Sequence, residues 1–239
     1  MTAVPLLAVE GLHMVFGGLV ANRDISFSVN AGEIIGLIGP NGAGKTTLFN
    51  CLAGFYTPSA GAIHFDGVSV GGQTPEQAAR RGIARTFQIV RIFPEMTVLE
   101  NVMVGAMLRS KKISAARAAA ENELVFIGLE HRRDVKAQQL TVSEQKRLEV
   151  ARALATHPRL ILLDEIMAGL TPTEVREASQ MVERIRDRDI ACIIVEHVME
   201  GIMPISDRII VLDAGVKIAE AAPAAIAQDP AVITAYLGA

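Results

Sequence analysis

Eight consecutive residues, Gly39-Pro40-Asn41-Gly42-Ala43-Gly44-Lys45-Thr46, have the types and spacing of a phosphate cradle, with Thr47 following. Glycines let successive backbone N–H groups curl around phosphate oxygens. The lysine reaches the terminal phosphates, and the threonine hydroxyl is a ligand for Mg²⁺. The order G-x-x-G-x-G excludes the dinucleotide fingerprint. A second element, Leu160-Ile-Leu-Leu-Asp164-Glu165, is an apolar run ending in two carboxylates. A strand there carries Asp164 to a metal ion at the sheet's carboxyl edge and leaves Glu165 as general base toward water. Gln88 has an amide suited to ligating Mg²⁺ and sensing the γ-phosphate, and His197 could bond that phosphate or hold the water. Alone, a surface Gln and a His before a helix are commonplace; their order relative to the other motifs raises them. Phe16, before Gly17-Gly18, is read either as a core residue or as a platform for adenine. The chemistry is binding of ATP with Mg²⁺ and attack of water on its γ-phosphate.

The elements that must position these groups follow from periodicity and caps. Residues 22–30 alternate as a half-buried strand, and 34–38 (IIGLI) are a short buried strand leading into the glycine loop. A helix runs from about Lys45 to Ala53, closed by Gly54. Residues 61–67 read as a strand with an Asp-Gly turn. Thr74, Thr97 and Thr171 each open a helix with Gln or Glu three residues on, two of them with Pro at the first position. Ile83 to Phe87 reads as a strand with Gln88 at its end. Ser114 begins an alanine-rich helix ending at Gly128, and a further helix runs from about Ser143 to Thr156. Leu160 to Asp164, Ile190 to Glu196 and Arg208 to Asp213 are strands. Strand–helix alternation around a helical middle segment predicts an α/β fold with a mainly parallel sheet.

Composition narrows the function classes. The 239 residues are half hydrophobic but only 4% aromatic, with no Trp, which suits an aliphatic parallel-sheet core. The formal charge of −3 is not that of a nucleic-acid binder, although Arg80 to Arg117 form a basic stretch. The two cysteines, Cys51 and Cys192, lack metal-ligand spacing and are expected as buried thiols in a reducing compartment. The start MTAVPLLAVEGLHMVF is not expected to be a signal peptide, and the longest apolar runs are strand-sized, so a membrane role requires partners.

Together these residues resemble the ATP-binding subunit of ABC transporters over nearly the whole chain. The series is Phe16, 39–46, Gln88, a signature region at 140–145, 160–164, Glu165, a loop Ala168-Gly-Leu-Thr171, and His197. The chain is most similar to ATPases of branched-chain or hydrophobic amino acid importers at GLHMVFGGLVANRDISFSV, ARTFQIVRIFPEMTVLENVMVG, DEIMAGLTP, EHVMEGIMPISDRIIVLDAGVKIAEAAP and the ending DPAVITAYLGA. The resemblance implies one domain over 1–239: a P-loop NTPase core with a mainly parallel sheet, an N-terminal antiparallel β portion, and a helical subdomain over about 89–157. It implies ATP with Mg²⁺ held by Thr46, Gln88 and Asp164, catalysis by Glu165 with His197 and Gln88, and a head-to-tail dimer, homo- or hetero-, with a second ATPase. Thr141, Ser143 and Glu144 would close the partner's nucleotide site. Integral membrane permease subunits and, indirectly, a solute-binding protein are the implied partners, nucleic acid is not, and the implied location is the cytoplasmic face of the inner membrane. Rival readings are a lipopolysaccharide-export type ATPase and a soluble ABC ATPase. Three departures from the family pattern stand out. The usual L-S-G-G-Q reads Leu140-Thr141-Val142-Ser143-Glu144, Thr171 stands for an Asp, and Ile166 stands for a Pro. Glu144 puts a negative charge near phosphate unless its helix turns it outward.

Overall fold

The computed structural model describes residues 4–237. The strands β1 (Leu7–Phe16) and β2 (Leu19–Val29) form an antiparallel hairpin, followed by β3 (Ile34–Ile38) and α1 (Lys45–Leu52). Next come β4 (Ala60–Phe65), β5 (Val68–Ser69), α2 (Pro75–Arg81) and β6 (Ile83–Arg85). The middle of the chain is α3 (Val98–Ala106), α4 (Ile113–Ile127) and α5 (Val142–Leu154). Alternation resumes with β7 (Leu160–Asp164), α6 (Pro172–Arg186), β8 (Ala191–Val195), α7 (Met199–Ile202) and β9 (Arg208–Asp213). The chain closes with β10 (Val216–Ala221), α8 (Pro223–Ile226) and α9 (Pro230–Leu237). The last two residues of the ending DPAVITAYLGA, and the first three of the chain, lie outside the described residues.

Two sheets result. One is antiparallel with order β2-β1-β4-β5, and the other has order β10-β9-β3-β8-β7-β6, parallel from β9 to β6 with β10 antiparallel at its edge. The central strands are buried on both faces, and their side chains alternate between two cores. Ile34, Ile38, Ile161, Leu163, Cys192 and Ile194 pack toward the helices α3 to α6. Ile35, Leu37, Leu160, Leu162, Ile193 and Val195 pack toward α1 and the antiparallel sheet. Both cysteines are free and buried.

The expected capping boxes at Thr74, Thr97 and Thr171 are all formed. The structure corrects several boundaries. The alanine-rich helix starts at Ile113 without a side-chain cap, not at Ser114. The helix expected from Ser143 starts at Val142, because Thr141 and Glu144 make a fourth capping box. The strand expected to reach Phe87 stops at Arg85. There the Phe87 and Arg91 N–H groups turn away from the sheet and donate to the buried Glu149 carboxylate of α5.

Candidate functional site

The sheet order explains how distant motifs meet. The glycine loop follows β3, Glu165 follows β7, His197 follows β8 and Gln88 lies just past β6, and β3-β8-β7-β6 are consecutive neighbours. All four groups leave the same carboxyl edge, where α/β folds bind ligands. One cleft of about 550 Å³ is lined by Phe16, Asn41 to Thr47, Gln88, Glu165 and His197. Asp164, with Thr46 and Gln88, lines an adjoining pocket of about 380 Å³. Thr141, Ser143 and Glu144 line neither.

The glycine loop is shaped by backbone that only glycine tolerates at two points. Gly39 has φ 149°, and a Cβ on it would sit 2.0 Å from the Leu212 carbonyl oxygen. Gly44 has φ 95°, and its Cβ would meet the Ala21 carbonyl oxygen at 2.5 Å. Asn22, fully buried, donates its amide to Gly44 O, and Gly215 N–H donates to Ala43 O, so the loop is anchored from below. Lys45 folds over the loop and donates to the carbonyls of Gly39 at 2.6 Å and Pro40 at 2.9 Å. Burial lowers its pKa, opposed by the nearby carboxylates of Glu165 and Asp164. At the rim, Phe16 is 41% exposed and meets the Tyr56 ring edge-on at 5.2 Å. Phe16 is thus an exposed aromatic face beside the loop, not a core residue.

The carboxylate of Glu165 sits between two partners. Gln88 donates to it at 3.0 Å and His197 Nε2 lies 3.3 Å away. Its backbone is at φ 51°, uncommon for a residue with a side chain, which turns the carboxylate off the strand into the cleft. Asp164 is held differently. It is 3% exposed, its N–H donates to the Thr86 hydroxyl, and its carboxylate pairs with Arg85 at 2.9 Å. Burial raises the Asp164 pKa and Arg85 opposes that rise. Oxygen donors on Thr46, Gln88 and Asp164, beside a loop built for phosphate, suit a hard cation such as Mg²⁺, which takes few protein ligands alongside phosphate oxygens. Among the described residues no three His, Cys, Asp or Glu cluster as an all-protein metal cage.

Sequence reading missed the supporting residues. Arg85, Thr86, Lys146, Glu149 and Glu196 all fix site backbone or carboxylates. The one readable signal was Arg85 itself, a charge inside an otherwise apolar strand, which demands a buried acid. Glu144 is not free to face phosphate. Its carboxylate accepts from Thr141 N–H at 2.9 Å and pairs with Arg132 at 2.9 Å, so helix capping holds it.

Glu196 is fully buried and accepts from Met167 N–H at 2.6 Å and from His197 N–H at 3.2 Å. Burial is the largest influence and pushes its pKa up from 4.5 to about 7. A carboxyl raised on folding stabilises the protein most below its unfolded pKa, and that contribution is lost as pH rises through the folded value. We therefore expect Glu196→Gln to flatten the fall in stability between about pH 5 and pH 8 by up to about 3 kcal/mol. Thermal midpoints of the two proteins across that window check this; parallel profiles contradict it.

Residues 22–168 match the family described as ABC transporter, and residues 216–239 match one described as branched-chain amino acid ATP-binding cassette transporter. The chain is 42% identical to the high-affinity branched-chain amino acid transport ATP-binding protein LivG of Salmonella typhimurium, covering 98% of each. It is 36% identical to the lipopolysaccharide export system ATP-binding protein LptB of Escherichia coli, covering 97% of each. A crystal structure of a nucleotide-free ATP-binding cassette from an ABC transporter superposes with a TM-score of 0.91 at 30% identity, over 99% of this chain and 100% of that one.

Proposed function

The chain belongs to the ATP-hydrolysing subunits of ABC transporters, and from that premise we propose that it powers import of branched-chain amino acids or similar small hydrophobic solutes. The observation that carries this reading is end-to-end similarity to the branched-chain relative, together with the match of residues 216–239 to the branched-chain type. The lipopolysaccharide-export relative matches at lower identity. Among the described residues no helix is long and apolar enough to cross a membrane. In this reading the chain sits on the cytoplasmic face, docked on integral permease subunits, and a solute-binding protein selects the cargo.

At the site, the N–H groups of Gly42 to Thr46 hold the phosphates, Lys45 swings from its carbonyls to the terminal phosphates, and Phe16 with Tyr56 presents an aromatic face to adenine. Thr46, Gln88 and Asp164 would hold Mg²⁺, which when bound offsets charge on the β- and γ-phosphates. Glu165 accepts the proton of the attacking water, while Gln88 and His197 fix its carboxylate.

The second half of each site comes from a second ATPase subunit packed head to tail. In this chain Thr141 to Glu144 carry no positive φ, so loss of the two family glycines brings no backbone strain. Thr141 Oγ1 accepts from Glu144 N–H; the N–H groups of Val142 and Ser143 at the start of α5 have no carbonyl four residues back within the helix, and in this reading they are the donors for the partner's γ-phosphate.

Uptake of radiolabelled leucine and isoleucine by cells making the complete transporter tests the proposal. Deleting this chain alone should abolish high-affinity uptake while membrane lipopolysaccharide stays normal. Unchanged uptake of both amino acids would overturn the import reading.

A further inference from the structure

The helix that carries the closing segment also reaches into the hydrolytic site of its own chain. Lys146, on α5, donates its ammonium to the carbonyl oxygens of Glu165 at 2.9 Å and Ala168 at 2.5 Å. Glu165 is the residue at positive φ, and its N–H is taken by Val195 O at 2.9 Å. The peptide that aims the Glu165 carboxylate is therefore clamped by the Val195 carbonyl on one side and by Lys146 on the other. Two residues on, Met167 N–H is held by Glu196. Burial lowers the pKa of the ammonium, and the nearby carboxyl groups of Glu196, Glu165 and Glu149 oppose that fall.

Lys146 lies one helical turn from Val142, on the same face of α5. Val142 is 61% exposed at the tip of the helix. A helix is stiff over one turn, so displacement of its first residues carries Lys146 with it. The turn that Lys146 grips, from Glu165 to Leu170, contains no helix or strand of its own to resist such a pull.

Resting on the reading above, in which Glu165 is the base and the start of α5 meets the partner's nucleotide, we propose that Lys146 is a positioning residue linking the two composite sites. Engagement of the partner's γ-phosphate by Val142 and Ser143 sets the tilt of α5. Lys146 passes that setting to the Glu165 backbone, so the base is aligned in this chain when the other site is filled. The link is one side chain on two carbonyl oxygens, and a methionine of similar length cannot make it.

The test is ATP hydrolysis by the full-length chain in the assembled transporter, comparing Lys146→Met and Lys146→Arg, with Glu165→Gln as reference. For Lys146→Met we expect ATP affinity within about twofold of wild type, kcat lower by on the order of 10-fold or more, and a Hill coefficient for ATP reduced to about 1. Lys146→Arg, which keeps a long cationic donor, should recover most of kcat and the cooperativity. Should Lys146→Met fold poorly, Lys146→Gln is read in its place with the same expectation. Wild-type kcat and cooperativity in the Met or Gln variant overturn the proposal, as does loss of ATP affinity in proportion to kcat, or an Arg variant no better than Met. Failure of the underlying reading is separate and visible: Glu165→Gln would then turn over ATP normally.

Discussion

Glu165→Gln is expected to lower ATP turnover by roughly 10²- to 10³-fold while leaving ATP affinity within about twofold. Glutamine keeps the size of the side chain and one acceptor oxygen, enough for the Gln88 amide at 3.0 Å, while the other carboxylate oxygen, 3.3 Å from His197 Nε2, becomes an amide nitrogen. It loses the capacity to accept a proton from water. The groups that bind phosphate stand in another loop, after β3, and none of them hydrogen-bonds the side chain of residue 165. Phosphate release and equilibrium ATP binding, measured on the same preparation, separate the two quantities. A variant that hydrolyses ATP at the wild-type rate would remove Glu165 from the chemistry. One that loses binding in proportion to turnover would make it a binding group instead.

Arg85→Met should cost about 3–5 kcal/mol of stability, the usual penalty for stranding one partner of a buried ion pair. The guanidinium and its acid are 7% and 3% exposed. It also bonds the Asn50 side chain and stands 5.1 to 5.7 Å from the rings of Phe49, Phe55 and Phe87. Methionine fills much of that volume and leaves the Asp164 carboxylate without compensation. The acid would then take up a proton more readily, since burial already raises its pKa and Arg85 is the main opposing influence. The loss of stability should therefore be larger at pH 8 than at pH 5, and ATP binding should demand more Mg²⁺ because the neutral acid is a poor ligand. For a chain of this length the drop in thermal midpoint is on the order of 10 °C. A thermal midpoint within a degree of wild type at both pH values would show that the pair contributes nothing net.

What could be read from the chain was what is local in it. The glycine loop, the four Thr-initiated capping boxes bar one, and the apolar strands β3, β7 and β8 each carry their signal within a few residues. The strand β1 escaped because its pairing with β2 is broken by register shifts and Gly11 sits at φ 56° within it, which spoils simple alternation. The strand β10 escaped because all six of its residues are half-exposed and show no buried face. The supporting residues of the site were hidden for a different reason. Arg85 finds Asp164 across 79 positions, Glu149 takes the Arg91 N–H across 58, and Lys146 reaches Ala168 across 22. Such partners are set by sheet order and by how α5 packs on the sheet, neither of which a local pattern encodes. Glu144 is the instructive case. Seen as one of a series of nucleotide-contact residues it is an intruding charge; seen as the third residue after Thr141 it is a cap, by the same rule that placed the helices at Thr74, Thr97 and Thr171.

The central claim is that Gly39 to Thr46 bind the phosphates of ATP and that Lys45 is the charge that holds them. Equilibrium titration of the full-length chain with a fluorescent ATP analogue and Mg²⁺, wild type beside Lys45→Ala, tests it directly. Lys45 donates only to two carbonyls of its own loop, at 2.6 and 2.9 Å, so its removal strands no buried acid and the fold should persist. The account predicts saturable binding by the wild type and a loss of affinity of roughly 100-fold in the variant, the worth of a charge-assisted bond to phosphate. Equal affinity in a folded Lys45→Ala protein would contradict it.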